Sequence, residues 1–159
     1  MQLTVRGVPE KFTAKIRLHP ENPERGFKEY IIEPLGKDKS VLFWISKKDM
    51  EQSKTGKIMR LMGLFNMKIE KANVYSVEAS FTSKSYEEAK KAEAPLIHWV
   101  LIGADMPCEV VMPDATVAEG IAESFCRKLK PDDVIQFERF GFVRIDKVNR
   151  KLTAYYAHK

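Results

Sequence analysis

An all-β chain built as small barrels is the fold class that three features of this 159-residue sequence predict. Apolar and polar residues alternate in roughly ten short runs, turn-forming residues recur about every 8–12 positions, and only two or three places carry a helix-start signal, each for a turn or two. No strand–helix alternation suggests a parallel sheet, and no period of about 20–50 residues suggests a repeat array. A hydrophobic fraction of 44% is that of an ordinary globular chain. The length fits one compact domain, or two very small ones sharing a sheet.

Leu3 and Val5 alternate in a strand over 2–6 that Gly7-Val-Pro9 turns. In the run 12–18, Ala14, Ile16 and Leu18 share one face and Lys15 and Arg17 the other, which predicts a half-buried strand with a basic outer face. His19-Pro-Glu-Asn-Pro-Glu-Arg-Gly26 holds two prolines and a glycine and reads as a loop. Residues 27–32 and 41–45 are strands around a Pro34-Leu-Gly-Lys turn. Ser46 with Asp49, and Ser85 with Glu88, have the spacing of an N-cap and an acid three residues later, so each opens a short helix. Between them lie a strand carrying Arg60 and a hairpin of 66–72 with 74–81. Residues 96–102 form a continuous apolar run broken by His98, and 107–112 another strand. Residues 117–129 fit helix or strand: Ile121, Phe125 and Leu129 have helical spacing, while Gly120 and the alternation near Val117 oppose it. A last strand runs over 152–157.

The stretch Val134-Ile-Gln-Phe-Glu-Arg-Phe-Gly-Phe-Val-Arg-Ile145 is the most informative. Its apolar set moves from odd positions (Ile135, Phe137) to even ones (Phe140, Phe142) and back (Val143, Ile145). Each slip exchanges the two faces unless the backbone absorbs it, and Gly141 suits such a site. The prediction is one strand, bent sharply between Arg139 and Gly141, presenting Gln136, Glu138 and Arg139 on one surface.

The net charge of +5 is uneven: residues 1–71 carry fifteen Lys and Arg against nine Asp and Glu, and residues 72–159 carry twelve against thirteen. The basic half is the expected surface for a polyanion, although a solubilising lysine coat gives the same count. No apolar run approaches the ~20 residues of a membrane span, and the first residues lack signal-peptide architecture, so a cytoplasmic protein with no membrane partner is expected. Cys108 and Cys126 have no metal-ligand spacing and are too few for a disulfide framework; both are expected reduced and packed. His19, His98 and His158 are far apart, and no glycine-rich phosphate loop occurs, so neither a metal site nor a catalytic constellation is expected.

What remains suits RNA: Arg17, Arg25, Lys54, Lys57, Arg60, His98, Gln136, Arg139, Arg144 and aromatics in exposed register. RNA readers stack splayed bases on aromatic or guanidinium planes and bond their Watson–Crick edges. The amide oxygen of Gln136 can accept from uracil N3–H while its NH₂ donates to a carbonyl, and arginine suits a phosphate or a guanine edge. For each of these residues the alternative is a solvated barrel exterior, and for His98-Trp99 a place in the core.

The string Gln136-Phe-Glu-Arg-Phe-Gly-Phe142 resembles the hallmark of the C-terminal anticodon-binding domain of archaeal and eukaryotic-type glutamyl-tRNA synthetases, shared in modified form by glutaminyl-tRNA synthetases. Leu18-His-Pro with Glu24-Arg-Gly, Arg60-Leu-Met-Gly-Leu-Phe65, Ile97-His-Trp-Val100 with Pro107-Cys-Glu-Val110, and the final Ala154-Tyr-Tyr-Ala-His-Lys159 resemble the family in the same order. Phe142 and Arg144-Ile-Asp look closer to the glutamyl branch. The strings Ile45-Ser-Lys-Lys48 and Thr82-Ser-Lys-Ser85 superficially resemble the lysine-containing signature loop of class I synthetases, but a capping serine explains each more simply.

The resemblance implies two small closed β-barrels of the anticodon-binding type, the first from about 1–54 plus 132–159 and the second from about 55–131. It implies that Gln136 reads the middle uracil of the anticodon and Arg60 the third base; Arg139, Glu138, Lys57, Arg25 and Arg17 complete the expected binding set on their own chemistry and placement. The partner implied is the anticodon loop of a glutamate tRNA. The catalytic half of an ATP-dependent glutamate–tRNA ligase, with its ATP and Mg2+, would lie before Met1, leaving this part without cofactor or turnover and its first barrel short of one strand. The alternatives are the equivalent glutaminyl domain and a β-barrel protein-interaction module without RNA specificity.

Overall fold

Alternation is used as the sequence predicts in β1 (Gln2–Arg6), where Leu3 and Val5 are fully buried between more exposed neighbours. The computed structural model describes residues 1–18 and 22–159; His19, Pro20 and Glu21, with their part of the expected loop and motif, lie outside the described residues. Two units result, Met1–Ile102 and Gly103–Lys159.

The first unit continues with β2 (Phe12–Arg17), a 3-10 turn at Pro23–Arg25, β3 (Phe27–Ile32), β4 (Val41–Trp44), α1 (Lys47–Glu51), β5 (Ile58–Leu61), β6 (Asn66–Ala72), β7 (Ser76–Ser83), α2 (Tyr86–Lys91), β8 (Leu96–Ile97) and β9 (Val100–Leu101). Ser46 and Ser85 are the N-caps expected: each hydroxyl accepts from the backbone N–H three residues on, at 3.0 Å from Asp49 and 3.3 Å from Glu88. β2 and β3 pair as a ribbon, and the other strands form one sheet in the order β8-β5-β6-β7-β1-β4-β9.

The two edges of that sheet are consecutive in the chain. Only His98 and Trp99 separate β8 from β9, and Ile97 to Val100 spans at most about 11 Å. Seven strands laid flat would be about 29 Å wide. The sheet is therefore rolled until its edges nearly meet, although no ladder joins them among the described residues. This also corrects the single apolar strand expected over 96–102: the run is split because the chain steps from one edge to the other. Leu3, Phe43, Met59, Leu61, Phe65, Met67, Ile69 and Ile97 fill the inside of the roll. Trp99 belongs to that interior through edge-on contacts with Tyr30 and Phe43, its Nε1–H donating to Met62 O at 2.8 Å.

The second unit holds β10 (Asp105–Val111), β11 (Val117–Glu123), a 3-10 turn at Ser124–Lys128, β12 (Val134–Phe137), β13 (Gly141–Val148) and β14 (Leu152–His158). The ambiguous segment 117–129 is thus strand, then a short 3-10 turn. The five strands run β11-β10-β14-β13-β12, with β10 and β14 parallel. One face covers Met106, Cys108, Val110, Cys126, Val143, Ile145 and Leu152, with Ile135 and Phe137 packed against them.

The all-β class holds, but the two-barrel partition differs from the strand pairing. β7, from the expected second barrel, pairs in parallel with β1 of the first. β10, also from the expected second barrel, pairs in parallel with β14 of the first. The ladders that decide membership join residues far apart in sequence, and local alternation carries no record of them.

Both cysteines are buried thiols. Burial, followed by the neighbouring Glu109 carboxylate, pushes the Cys108 thiol up to about 11. The folded state holds that proton more tightly than the unfolded chain. The contribution is therefore complete below the ordinary thiol value of about 8.5 and is lost as pH rises through about 11. The stability difference between the parent chain and Cys108→Ala should shrink over that window; a difference independent of pH, by urea unfolding, would refute it.

Candidate nucleic-acid interface

The stretch 134–145 reverses rather than bends. β12 and β13 are antiparallel, with Gln136 opposite Phe142 and Phe137 opposite Gly141. Glu138, Arg139 and Phe140 make the turn, closed by the Phe140 N–H donating to Phe137 O at 3.0 Å. Arg139 sits at φ 64°, a left-handed conformation uncommon for a residue with a Cβ. Gly141 has φ 148°, and a Cβ there would lie 2.7 Å from Tyr156 Cε2 and 2.8 Å from His158 O. The slip of the apolar set that suggested a bend is thus the signature of a hairpin closed tightly against β14.

Because Ile135 and Phe137 face the core, Gln136 is exposed on the opposite face. Phe142 lies across from it and His158 across from Phe142 on the next strand. The register shifts between Phe142 and Val143, which pair with His158 and Tyr156 and leave Ala157 as the extra residue of a bulge. That bulge turns His158 onto the outer face. The two rings stack with centroids 4.5 Å apart and planes 23° apart. In the next row Val134, Arg144 and Tyr155 pair across the same three strands. The Arg144 guanidinium lies 5.5 Å from the Tyr155 ring centroid, and its Nη1 donates to Asp132 Oδ1 at 2.6 Å.

This face offers an amide, a stacked ring pair and a guanidinium over a ring, the groups that read and stack unpaired bases. Its unit carries nine Lys and Arg against nine Asp and Glu, so net charge is not what would draw RNA to it. Phe142 and Tyr155 were legible as aromatics in outward register. Nothing local marks His158, whose facing depends on the bulge.

The other expected site residues lie in the first unit. Arg17 ends β2 opposite Phe27, and Arg25 ends the 3-10 turn before β3. Lys57 directly precedes β5, and its carbonyl accepts from the Ile69 N–H at 2.9 Å. Arg60, on β5, is tied down. Its Nη1 donates to Asn66 Oδ1 at 2.7 Å and to Lys84 O at 3.4 Å, and its Nη2 to Leu64 O at 3.4 Å. Asn66 is 1% exposed and donates in turn to Ser83 Oγ and Ser85 O. Tyr86 lies over the guanidinium at 5.7 Å. Gln136, Glu138 and Arg139 therefore share one hairpin, while Arg17, Arg25, Lys57 and Arg60 belong to three places in the other unit.

Residues 1–84 match the family model described as the anticodon-binding domain of class I (E and Q) tRNA synthetases, and residues 96–146 match a second model of the same description. The chain belongs to this anticodon-binding family. It is 44% identical to a glutamate–tRNA ligase of Thermococcus kodakarensis over 94% of this chain and 26% of the relative. With those of Pyrococcus abyssi and Methanocaldococcus jannaschii the identities are 43% and 38%, each over 99% of this chain. The chain spans about a quarter of the length of these relatives. Gln136, Phe142 and Arg144 all fall inside the second matched segment of the anticodon-binding family, and Arg60 inside the first.

Proposed function

We propose that this chain is the anticodon-reading part of an ATP-dependent glutamate–tRNA ligase of protein synthesis, acting in the cytoplasm and without turnover of its own. The observation that carries the reading is Gln136, exposed on a sheet face with an aromatic partner opposite, in a chain of the anticodon-binding family. The relatives named above bear the glutamate name, which favours that amino acid over glutamine. Gln136 pairs with the middle uracil. Arg139 and Glu138 flank that base from the turn, and Arg17, Arg25 and Lys57 meet phosphates. Three N–H groups of Arg60 are directed at internal acceptors, which pre-orients those that remain for the third base. ATP and Mg2+ belong to the remaining part of the parent enzyme.

The test is a titration with a glutamate-tRNA anticodon stem-loop, beside a copy with cytosine in place of the middle uracil, at two salt concentrations. Gln136→Ala should cost roughly 1–3 kcal/mol for the uracil form and erase the preference. Affinity should fall as salt rises, because phosphate contacts release counterions. Equal binding of both stem-loops by the parent chain would refute the reading.

A further inference from the structure

Hydrogen bonding of the middle base by the Gln136 amide leaves the stacked ring pair Phe142–His158 without a task of its own. It is also not needed by the core, since His158 is exposed and lies outside the buried cluster. Holding two rings 4.5 Å apart on the outer face requires the bulge at Ala157. Without it, Phe142 would face Ala157. β10 pairs with β14 only as far as Tyr155, which lies opposite Val111, so among the described residues of this unit no ladder continues beside His158 on that side. The ring makes a local polar contact, Nδ1 with Lys159 O at 3.0 Å.

From this row, Gln136 to Phe142 to His158 across three strands, we infer that Phe142 and His158 form a stacking platform for a second, unpaired RNA base next to the one bonded by Gln136. The inference rests on the anticodon reading above. Adjacent strands set the row at about 4.8 Å per step. A base laid on the outer face of His158 continues the ring stack while its neighbour stays within reach of Gln136. Stacking of this kind tolerates any base, because each has a π-face. The platform therefore supplies affinity, and Gln136 supplies choice.

The experiment uses the full chain and stem-loops carrying 2-aminopurine, whose fluorescence is quenched on stacking, at one or the other nucleotide flanking the middle uracil. One of the two should be quenched by the parent chain. His158→Ala should abolish that quenching and weaken binding about 5- to 150-fold, while His158→Phe, which keeps a ring, should restore both. Gln136→Ala should keep the quenching and lose only the preference for uracil. Quenching and affinity unchanged in His158→Ala, with the uracil preference intact, would overturn the platform and leave the reading standing. Quenching that depends on His158 without any uracil preference would overturn the reading and leave the platform. Loss of binding in His158→Phe as great as in His158→Ala, with unaltered melting of both variants, would also overturn the platform, since a ring would then not suffice.

Discussion

Gly141→Ala should cost about 2–6 kcal/mol in the stability of the unit Gly103–Lys159. Two terms contribute. At φ 148° the backbone is in a region that side chains rarely adopt, and the new methyl would stand 2.7 Å from the Tyr156 ring and 2.8 Å from the His158 carbonyl. The carbonyl is backbone in a ladder, so it cannot turn aside as a flexible side chain would. A unit of roughly 60 residues has about 3–9 kcal/mol in all, so the hairpin carrying Gln136 should open or the unit unfold. Amide hydrogen exchange resolves this, with protection lost from residues 141–158 and kept in the first unit. Gly120→Ala is the control, because Gly120 has nothing within 4 Å of a Cβ and no positive φ. Equal protection in Gly141→Ala and parent would refute the packing argument.

Phe65→Ala should cost about 3–5 kcal/mol in the first unit. Phe65 is fully buried and is the ring on which three others meet edge-on: Phe12 at 6.2 Å, Phe43 at 6.3 Å and Phe81 at 5.3 Å. Those rings come from β2, β4 and β7, so truncation leaves a cavity where three strands converge and no single side chain can swing in to fill it. Both tryptophans, Trp44 and Trp99, lie in the same unit. Urea unfolding followed by their fluorescence therefore reports it, and the midpoint should fall. Tyr75→Ala, at a position 81% exposed, should stay within about 0.5 kcal/mol of the parent. A Phe65→Ala midpoint equal to that of Tyr75→Ala would overturn the account.

Much of the outline was legible. Leu3 and Val5, Ile135 and Phe137, and the serines at 46 and 85 all act as their spacing predicts, because period-two burial and N-capping are decided within a few residues. The candidate site was legible in part: Gln136 could be assigned to a strand's outer face by its neighbours alone. The hairpin at Glu138–Phe140 could not be told from a bend, since a one-residue slip in the apolar pattern looks the same whether the chain kinks or turns back. What distinguishes them is the fit of Gly141 against Tyr156 and His158, residues from another strand.

The sequence by itself determined the all-β class, the burial face of strands such as β1 and β12, the capped helical turns and the chemistry available at Gln136. Tertiary structure alone decided which strands share a sheet, that the ends of the first sheet nearly meet across His98 and Trp99, and that His158 stands beside Phe142. Sheet ladders close between distant residues through backbone groups that every residue carries alike. Pairing, register and bulges are therefore fixed by the fit of the whole interior and leave little trace in any local stretch of chain.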